Sequence, residues 1–101
     1  MTPSGHEYRS AFTSTTGGVL TDEAGAITGE LELLLRPEAD ALHVLVRYAG
    51  ADDWYTVSGG PVRSQRDPES VRSEVVKHLR APGPVVDGNE KPVSLERFTR
   101  T

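Results

Sequence analysis

Apolar and polar residues alternate most clearly between residues 29 and 57. Because side chains alternate between the two faces of a strand, this spacing predicts strands over residues 29–36 and 41–48, and a third strand that begins near Trp54. Four-residue turns at 37–40 and 50–53 would join them. The residues expected on the buried face are Leu31, Leu33, Leu35, Leu42, Val44, Val46, Tyr48, Tyr55 and Val57. The pattern therefore predicts an antiparallel meander.

The two apolar faces also predict how the strands pair, since a one-residue slip would turn every leucine outward. The expected pairs are Leu35–Leu42, Leu33–Val44 and Leu31–Val46 in the first hairpin, and Val46–Val57 and Tyr48–Tyr55 in the second. Glu30 would then lie opposite Arg47, which is a favourable pair of opposite charges.

One helix is well signalled in the second half of the chain. Asp67 is a good N-cap and Pro68 suits the first helical position. Val71, Val75, Val76 and Leu79 follow at helical spacing, and residues 82–84, Pro-Gly-Pro, would end the helix. We therefore predict an α+β fold, in which a three- to five-stranded antiparallel meander sheet carries this helix on one face.

The opposite face of the predicted sheet carries an unusual number of large apolar side chains. Leu34, Leu45 and Trp54 lie there among polar residues that include His43 and Arg47. Such a group indicates a cover or a partner. We predict these five residues as an interface. The alternative is that the N-terminal part of the chain covers them, and residues 19–27, a weak strand-turn-strand pattern, are the best candidate.

The domain organisation expected from composition is simple. Residues 1–18 are rich in Ser, Thr and Gly and are predicted to be a flexible arm, although Tyr8, Ser10 and Phe12 alternate as in a short strand. Residues 19–101 are predicted to form a single small α+β domain. A short final strand is expected around Val93 and Leu95, with Phe98 as an anchor.

Charge and composition narrow the possible partners. The net charge of −4 argues against nucleic acid, because phosphate binding depends on clustered Lys and Arg. The chain has no cysteine, so neither a disulfide nor a thiolate metal site is expected. No signal peptide or membrane-spanning stretch is recognisable, which predicts a cytoplasmic protein without membrane contact.

No catalytic or metal-binding constellation emerges from the residue spacing. His6, His43 and His78 lack the spacing of metal ligands. Asp52 and Asp53 are explained by turn chemistry. We expect no catalytic residues, no metal and no cofactor, and a non-enzymatic protein is favoured over an enzyme.

The order of these features resembles the N-terminal half of the SsgA-like family, which comprises actinobacterial sporulation and cell-division regulators. The residues that carry the resemblance are Gly-Glu-Leu-Glu-Leu at 29–33, Arg47-Tyr48, Ala-Asp-Asp-Trp-Tyr-Thr-Val at 51–57, and the helix within 69–83. The chain differs where Ser73 and Val75 stand in place of aromatic residues in the family's helix. The resemblance implies a non-enzymatic adaptor that oligomerises and docks on division proteins.

Three functions are therefore considered. The favoured one is a protein-interaction or regulatory domain that self-associates or binds a protein partner. The first alternative is a small-molecule-binding or accessory enzymatic domain with a pocket between sheet and helix, lined by Tyr48, Tyr55 and His43. The second is an immunity or inhibitor protein, which would suit the small size and acidic charge.

Overall fold

The computed structural model describes residues 7–96 and Phe98. Nine strands and one helix lie within this part of the chain. In chain order they are β1 (Tyr8–Thr13), β2 (Val19–Thr21), β3 (Gly25–Ile27), β4 (Glu30–Glu38), β5 (Ala41–Tyr48), β6 (Tyr55–Thr56), β7 (Val62–Arg63), α1 (Pro68–Arg80), β8 (Val85–Val86) and β9 (Asn89–Glu90). No helix in the described residues is long and apolar enough to cross a membrane.

The main sheet has five antiparallel strands and confirms the predicted α+β class. Its strand order is β1-β4-β5-β6, and β7 also pairs with β5 beyond the end of β6. The predicted meander corresponds to β4, β5 and β6. The third strand is shorter than expected, because the chain leaves the sheet after β6 and returns to β5 at β7.

The register of the meander differs from the predicted one by two residues. Leu33 lies opposite Val46, and Glu32 rather than Glu30 lies opposite Arg47. The β4–β5 turn consists of two residues, with Ala39 at a φ of 53°. A shift of two residues keeps every side chain on its predicted face, so the faces are correct although the pairs are not. Pro37 is accommodated within β4 because its nitrogen, which has no hydrogen to donate, points away from β5.

The second hairpin shows the same two-residue difference. Tyr55 lies opposite Val46, and Thr56 lies opposite Leu45. The expected pairs of Val46 with Val57 and of Tyr48 with Tyr55 are therefore wrong, again without a change of face.

The N-terminal segment differs from the expected flexible arm over β1. All six residues of β1 pair with β4, with Phe12 opposite Leu31. Phe12 is buried in the core, and Tyr8 packs against it. The alternation of Tyr8, Ser10 and Phe12 is thus that of a strand, which pairs with β4 along the edge that β5 does not occupy. Residues 1–6 lie outside the described part of the chain.

The helix confirms the predicted bounds and orientation. The side chain of Asp67 accepts a hydrogen bond from the Ser70 amide at 3.2 Å, and Pro68 opens the helix. Val71, Val75 and Leu79 are buried on the inner side of the sheet in one cluster with the leucines of β4. The Arg72 guanidinium donates a hydrogen bond to the Ser10 hydroxyl, which ties α1 to β1.

The β2–β3 hairpin extends the sheet edge instead of covering its second face. Thr21 bridges to Val57, and Asp22 donates its amide to the Thr56 carbonyl at 2.9 Å. Val19 and Ile27 are buried in the same core as the helix. The expectation that residues 19–27 cover Leu34, Leu45 and Trp54 is therefore wrong, because the apolar side chains of this hairpin are directed into the inner core.

The C-terminal segment crosses the core without forming the expected final strand. Val93 makes an isolated parallel bridge to Val19, and Leu95 donates its amide to the Ser58 carbonyl at 2.8 Å. Both side chains are buried. Phe98 packs against the core and contacts the His78 ring.

Candidate functional site

The outer face, the side of the sheet opposite α1, brings the predicted interface residues together. Leu34 lies directly opposite Leu45, and Arg36 lies directly opposite His43. Directly opposed residues share a face. Leu34, His43, Leu45, Arg47 and Trp54 therefore belong to one surface, as the sequence predicted.

Trp54 contacts two arginines on this face. The Arg47 guanidinium carbon is 4.4 Å from the centre of the Trp54 ring, and that of Arg9 is 5.6 Å away. At these distances the cations interact favourably with the ring. We call Arg9, Trp54 and Arg47 the aromatic–arginine cluster.

The cluster spans the two middle strands. Arg9 is in β1 and Trp54 immediately precedes β6, so β4 and β5 lie between their backbones, a separation of about 14 Å at ordinary strand spacing. The two side chains can meet only above the sheet, over Leu34 and Leu45. This explains why Leu34 is only 1% exposed although it faces away from the core.

The five predicted interface residues therefore differ in access. Leu34 lies beneath the cluster and cannot contact another molecule unless the cluster opens. Leu45, Trp54, His43 and Arg47 are half-buried and keep part of their surface accessible. The sequence offered the N-terminal part of the chain as a cover for the outer face. In the structure one N-terminal residue, Arg9, provides part of that cover.

Acidic partners surround the basic groups of the outer face. Arg47 contacts Glu32 at 2.8 Å, and His43 contacts Glu38 at 3.1 Å. Glu7 lies 3.3 Å from Arg9 and 3.5 Å from Arg36. Charges of both signs are interspersed across the face, so it suits neither a purely anionic nor a purely cationic partner.

The proposed pocket residues Tyr48, Tyr55 and His43 do not line one cavity. Tyr48 and Tyr55 pair with inward-facing residues of the sheet, whereas His43 lies on the outer face. Tyr48 is 42% exposed at the end of β5. Between sheet and helix, Leu33, Val75 and Leu79 leave no exposed surface, so this region is packed core.

A cleft that the sequence did not suggest lies at the C-terminal end of α1. It has a volume of about 580 Å³, walls from residues 81–84 and 91–94, and contributions from Leu20 and His78. The His78 Nε2 atom lies 2.8 Å from the Ser94 carbonyl oxygen and so connects the helix to the far wall. In the sequence, only the prolines at 82, 84 and 92 set these two segments apart, and they did not by themselves indicate a cleft.

One carboxylate at the margin of the outer face has a perturbed acidity. The side chain of Glu23 accepts hydrogen bonds from the Thr56 hydroxyl and the Thr56 amide, both at 2.7 Å. The hydroxyl bond first, and then the amide bond, lower the pKa of the Glu23 carboxyl below its ordinary value. This contact fastens the β2–β3 turn to β6.

Substituting Glu23→Gln should therefore reduce the acid dependence of stability. Because the pKa of Glu23 is lower in the folded protein, its ionised form contributes stability above the unfolded pKa, and this is lost as the pH falls through the folded pKa. We expect urea unfolding to show the variant less stable at about pH 7, with the difference closing towards about pH 3. Asp53→Asn, at an exposed turn residue, is the control. A constant difference between wild type and Glu23→Gln across this range would contradict the assignment.

Within residues 7–96 and Phe98, no three His, Cys, Asp or Glu side chains are grouped in a way that could hold a metal ion.

Comparisons with protein-family models, with curated proteins and with solved structures found no match.

Proposed function

We propose that the protein is a non-enzymatic interaction domain that self-associates through the side of the molecule where the outer face meets β1. The observation that carries the proposal is the aromatic–arginine cluster. It joins the exposed edge strand to the far side of the sheet and keeps Trp54 partly accessible.

The chemistry of the cluster is that of protein interfaces. Trp and Arg are enriched at the few interface positions that dominate binding energy. Here two guanidinium groups lie against the Trp54 ring, and Arg47 is fixed in turn by Glu32. Side chains that are already ordered lose less conformational entropy when a partner binds.

The charge pattern favours a second copy as the partner. In an interface with two-fold symmetry each patch meets itself, so it must carry both charges to be complementary. The outer face does so, with Arg9, Arg36 and Arg47 interspersed with Glu7 and Glu32. A single-sign surface would repel its own copy.

The resemblance to the SsgA-like family extends this proposal to a biological setting. An oligomeric adaptor in bacterial cell division or development, acting in the cytoplasm on division proteins, would suit a small domain of this kind. Recovery of division proteins by the tagged chain from an actinobacterial lysate would support that setting, and capture that is equally efficient with Trp54→Ala would count against a role for the outer face.

Self-association is tested by sedimentation equilibrium over a wide concentration range. We expect a reversible oligomer whose dissociation constant rises at least about tenfold in Trp54→Ala, because the variant loses the large, partly accessible aromatic ring of this surface. Tyr48→Ala removes an exposed aromatic on the other side of the sheet and should leave the constant unchanged. A wild-type protein that stays monomeric at every concentration would refute the proposal.

A further inference from the structure

Among the residues that the structure describes, no strand pairs with the outer edge of β1, which leaves a row of backbone groups there. Ser14 donates its amide to the Gly29 carbonyl at 2.9 Å, in the same register as the β1–β4 pairing. Because hydrogen-bonded and non-bonded positions alternate along an antiparallel pair, the backbone groups of Arg9, Ala11 and Thr13 point away from β4. These three residues are exposed, and within residues 7–96 and Phe98 β1 is the last strand on this side of the sheet.

The β1 strand itself lacks several features that commonly protect edge strands from pairing. Such strands are often very short, bulged, or interrupted by Pro or Lys. β1 has six residues in continuous register with β4 and contains neither Pro nor Lys. Its one charged residue, Arg9, is turned onto the outer face towards Trp54.

We propose that β1 pairs with β1 of a second copy, antiparallel and about a two-fold axis at Ala11, so that two sheets become one. This rests on the self-association proposed above and specifies its surface. In this register Ala11 faces Ala11 of the other copy, and Arg9 faces Thr13. All three outward-pointing residues of each strand are used, giving about six ladder hydrogen bonds.

The side chains of the outer face are complementary in this register. Thr13 is paired with Glu30 in β4, so one row across the joined sheets contains Arg9 of one copy, then Thr13 and Glu30 of the other. Glu30 is exposed, and the short Thr13 side chain leaves room for Arg9 to reach over it when the Arg9 guanidinium turns from Trp54 towards the second copy. The two-fold axis produces a second, identical Arg9–Glu30 attraction. At the axis itself the only side chains are the two Ala11 methyl groups.

The inner face is compatible with the same pairing. Phe12 of one copy would lie beside Ser10 of the other, so a large side chain meets a small one. Ser10 is already held by Arg72 of α1, which keeps it in place next to the incoming strand. The joined outer faces would then carry Trp54 and Arg47 of both copies on one continuous surface.

The test removes one backbone donor without changing the fold. Ala11→Pro deletes an amide that points away from β4, and proline is tolerated at edge positions of this kind. We expect circular dichroism and thermal unfolding to show a folded protein, and sedimentation equilibrium to show dimerisation weakened at least about 100-fold. Ala11→Ser retains the amide and should dimerise as the wild type does.

A charge exchange tests the same register without proline. Arg9→Glu and Glu30→Arg should each weaken the dimer about tenfold, and the double variant should recover most of the loss. If Ala11→Pro proves to be unfolded, the two charge-reversal variants and their double variant decide whether β1 pairs with β1. If the wild type dimerises but neither Ala11→Pro nor the charge reversals weaken it, β1 pairing is wrong while self-association stands. A wild type that is always monomeric refutes both.

Discussion

Replacing Leu33 by alanine should lower the free energy of unfolding by about 3–5 kcal/mol. Leu33 has no exposed surface and lies in the cluster that joins β4 to the buried side of α1. Truncation removes apolar contacts and leaves a cavity that strands on both sides prevent from collapsing. Since domains of this size are stable by only about 5–15 kcal/mol, the loss would be a large fraction of the total. Urea unfolding followed by far-ultraviolet circular dichroism measures it.

Two neighbouring leucines on the outer face are the matched controls. Leu45→Ala, at a half-buried position, should cost only about 1 kcal/mol. Leu34→Ala should lie between the two, because Leu34 is buried on the outer face beneath the aromatic–arginine cluster, and these flexible side chains can settle into the space. If Leu33→Ala and Leu45→Ala lowered the free energy of unfolding equally, the inner face could not be the packed core and the outer face only partly covered.

The alternation of the central strands was enough to predict both faces of the sheet. Leu33 is in the core and Leu45 is on the outer face, as their positions indicated. The helix was equally clear, because Asp67 and Pro68 begin it by local chemistry that needs no tertiary context.

The register was not predictable from the same pattern. A period of two is unchanged by a shift of two, and both Glu30 and Glu32 could have faced Arg47 on charge alone. The choice is made by the two-residue β4–β5 turn, which requires Ala39 in a left-handed conformation. Nothing in the sequence of that turn, which lacks glycine and asparagine, is typical of such a hairpin.

The key residue of the candidate site was missed for a related reason. Arg9 lies in a segment rich in Ser, Thr and Gly, whose composition predicted a flexible arm. β1 is ordered by pairing with β4 and by burial of Phe12, which are long-range effects. The contact of Arg9 with Trp54 then depends on the sheet order and has no local signal.

Substituting Gly59→Ala should destabilise the protein by about 3 kcal/mol or more. Gly59 follows β6 with a φ of 94°, and an added Cβ would stand 2.5 Å from the Glu96 amide nitrogen and 2.8 Å from the Leu95 carbonyl carbon. Both are backbone atoms, so no side chain can rotate away. Leu95 is also tied to Ser58 by a hydrogen bond, and the crossing would have to open for the methyl group to fit.

Gly50→Ala separates this close approach from backbone strain. Gly50 has a similar φ of 83°, but nothing lies within 4 Å of its added Cβ. It should therefore show only the conformational cost of about 1–2 kcal/mol. The difference between the two variants in urea unfolding measures how tightly the C-terminal segment is held against the sheet, and amide chemical shifts of Leu95 and Glu96 should change only in Gly59→Ala. Equal losses would mean that the segment moves aside freely, in which case Leu95 contributes little to the core.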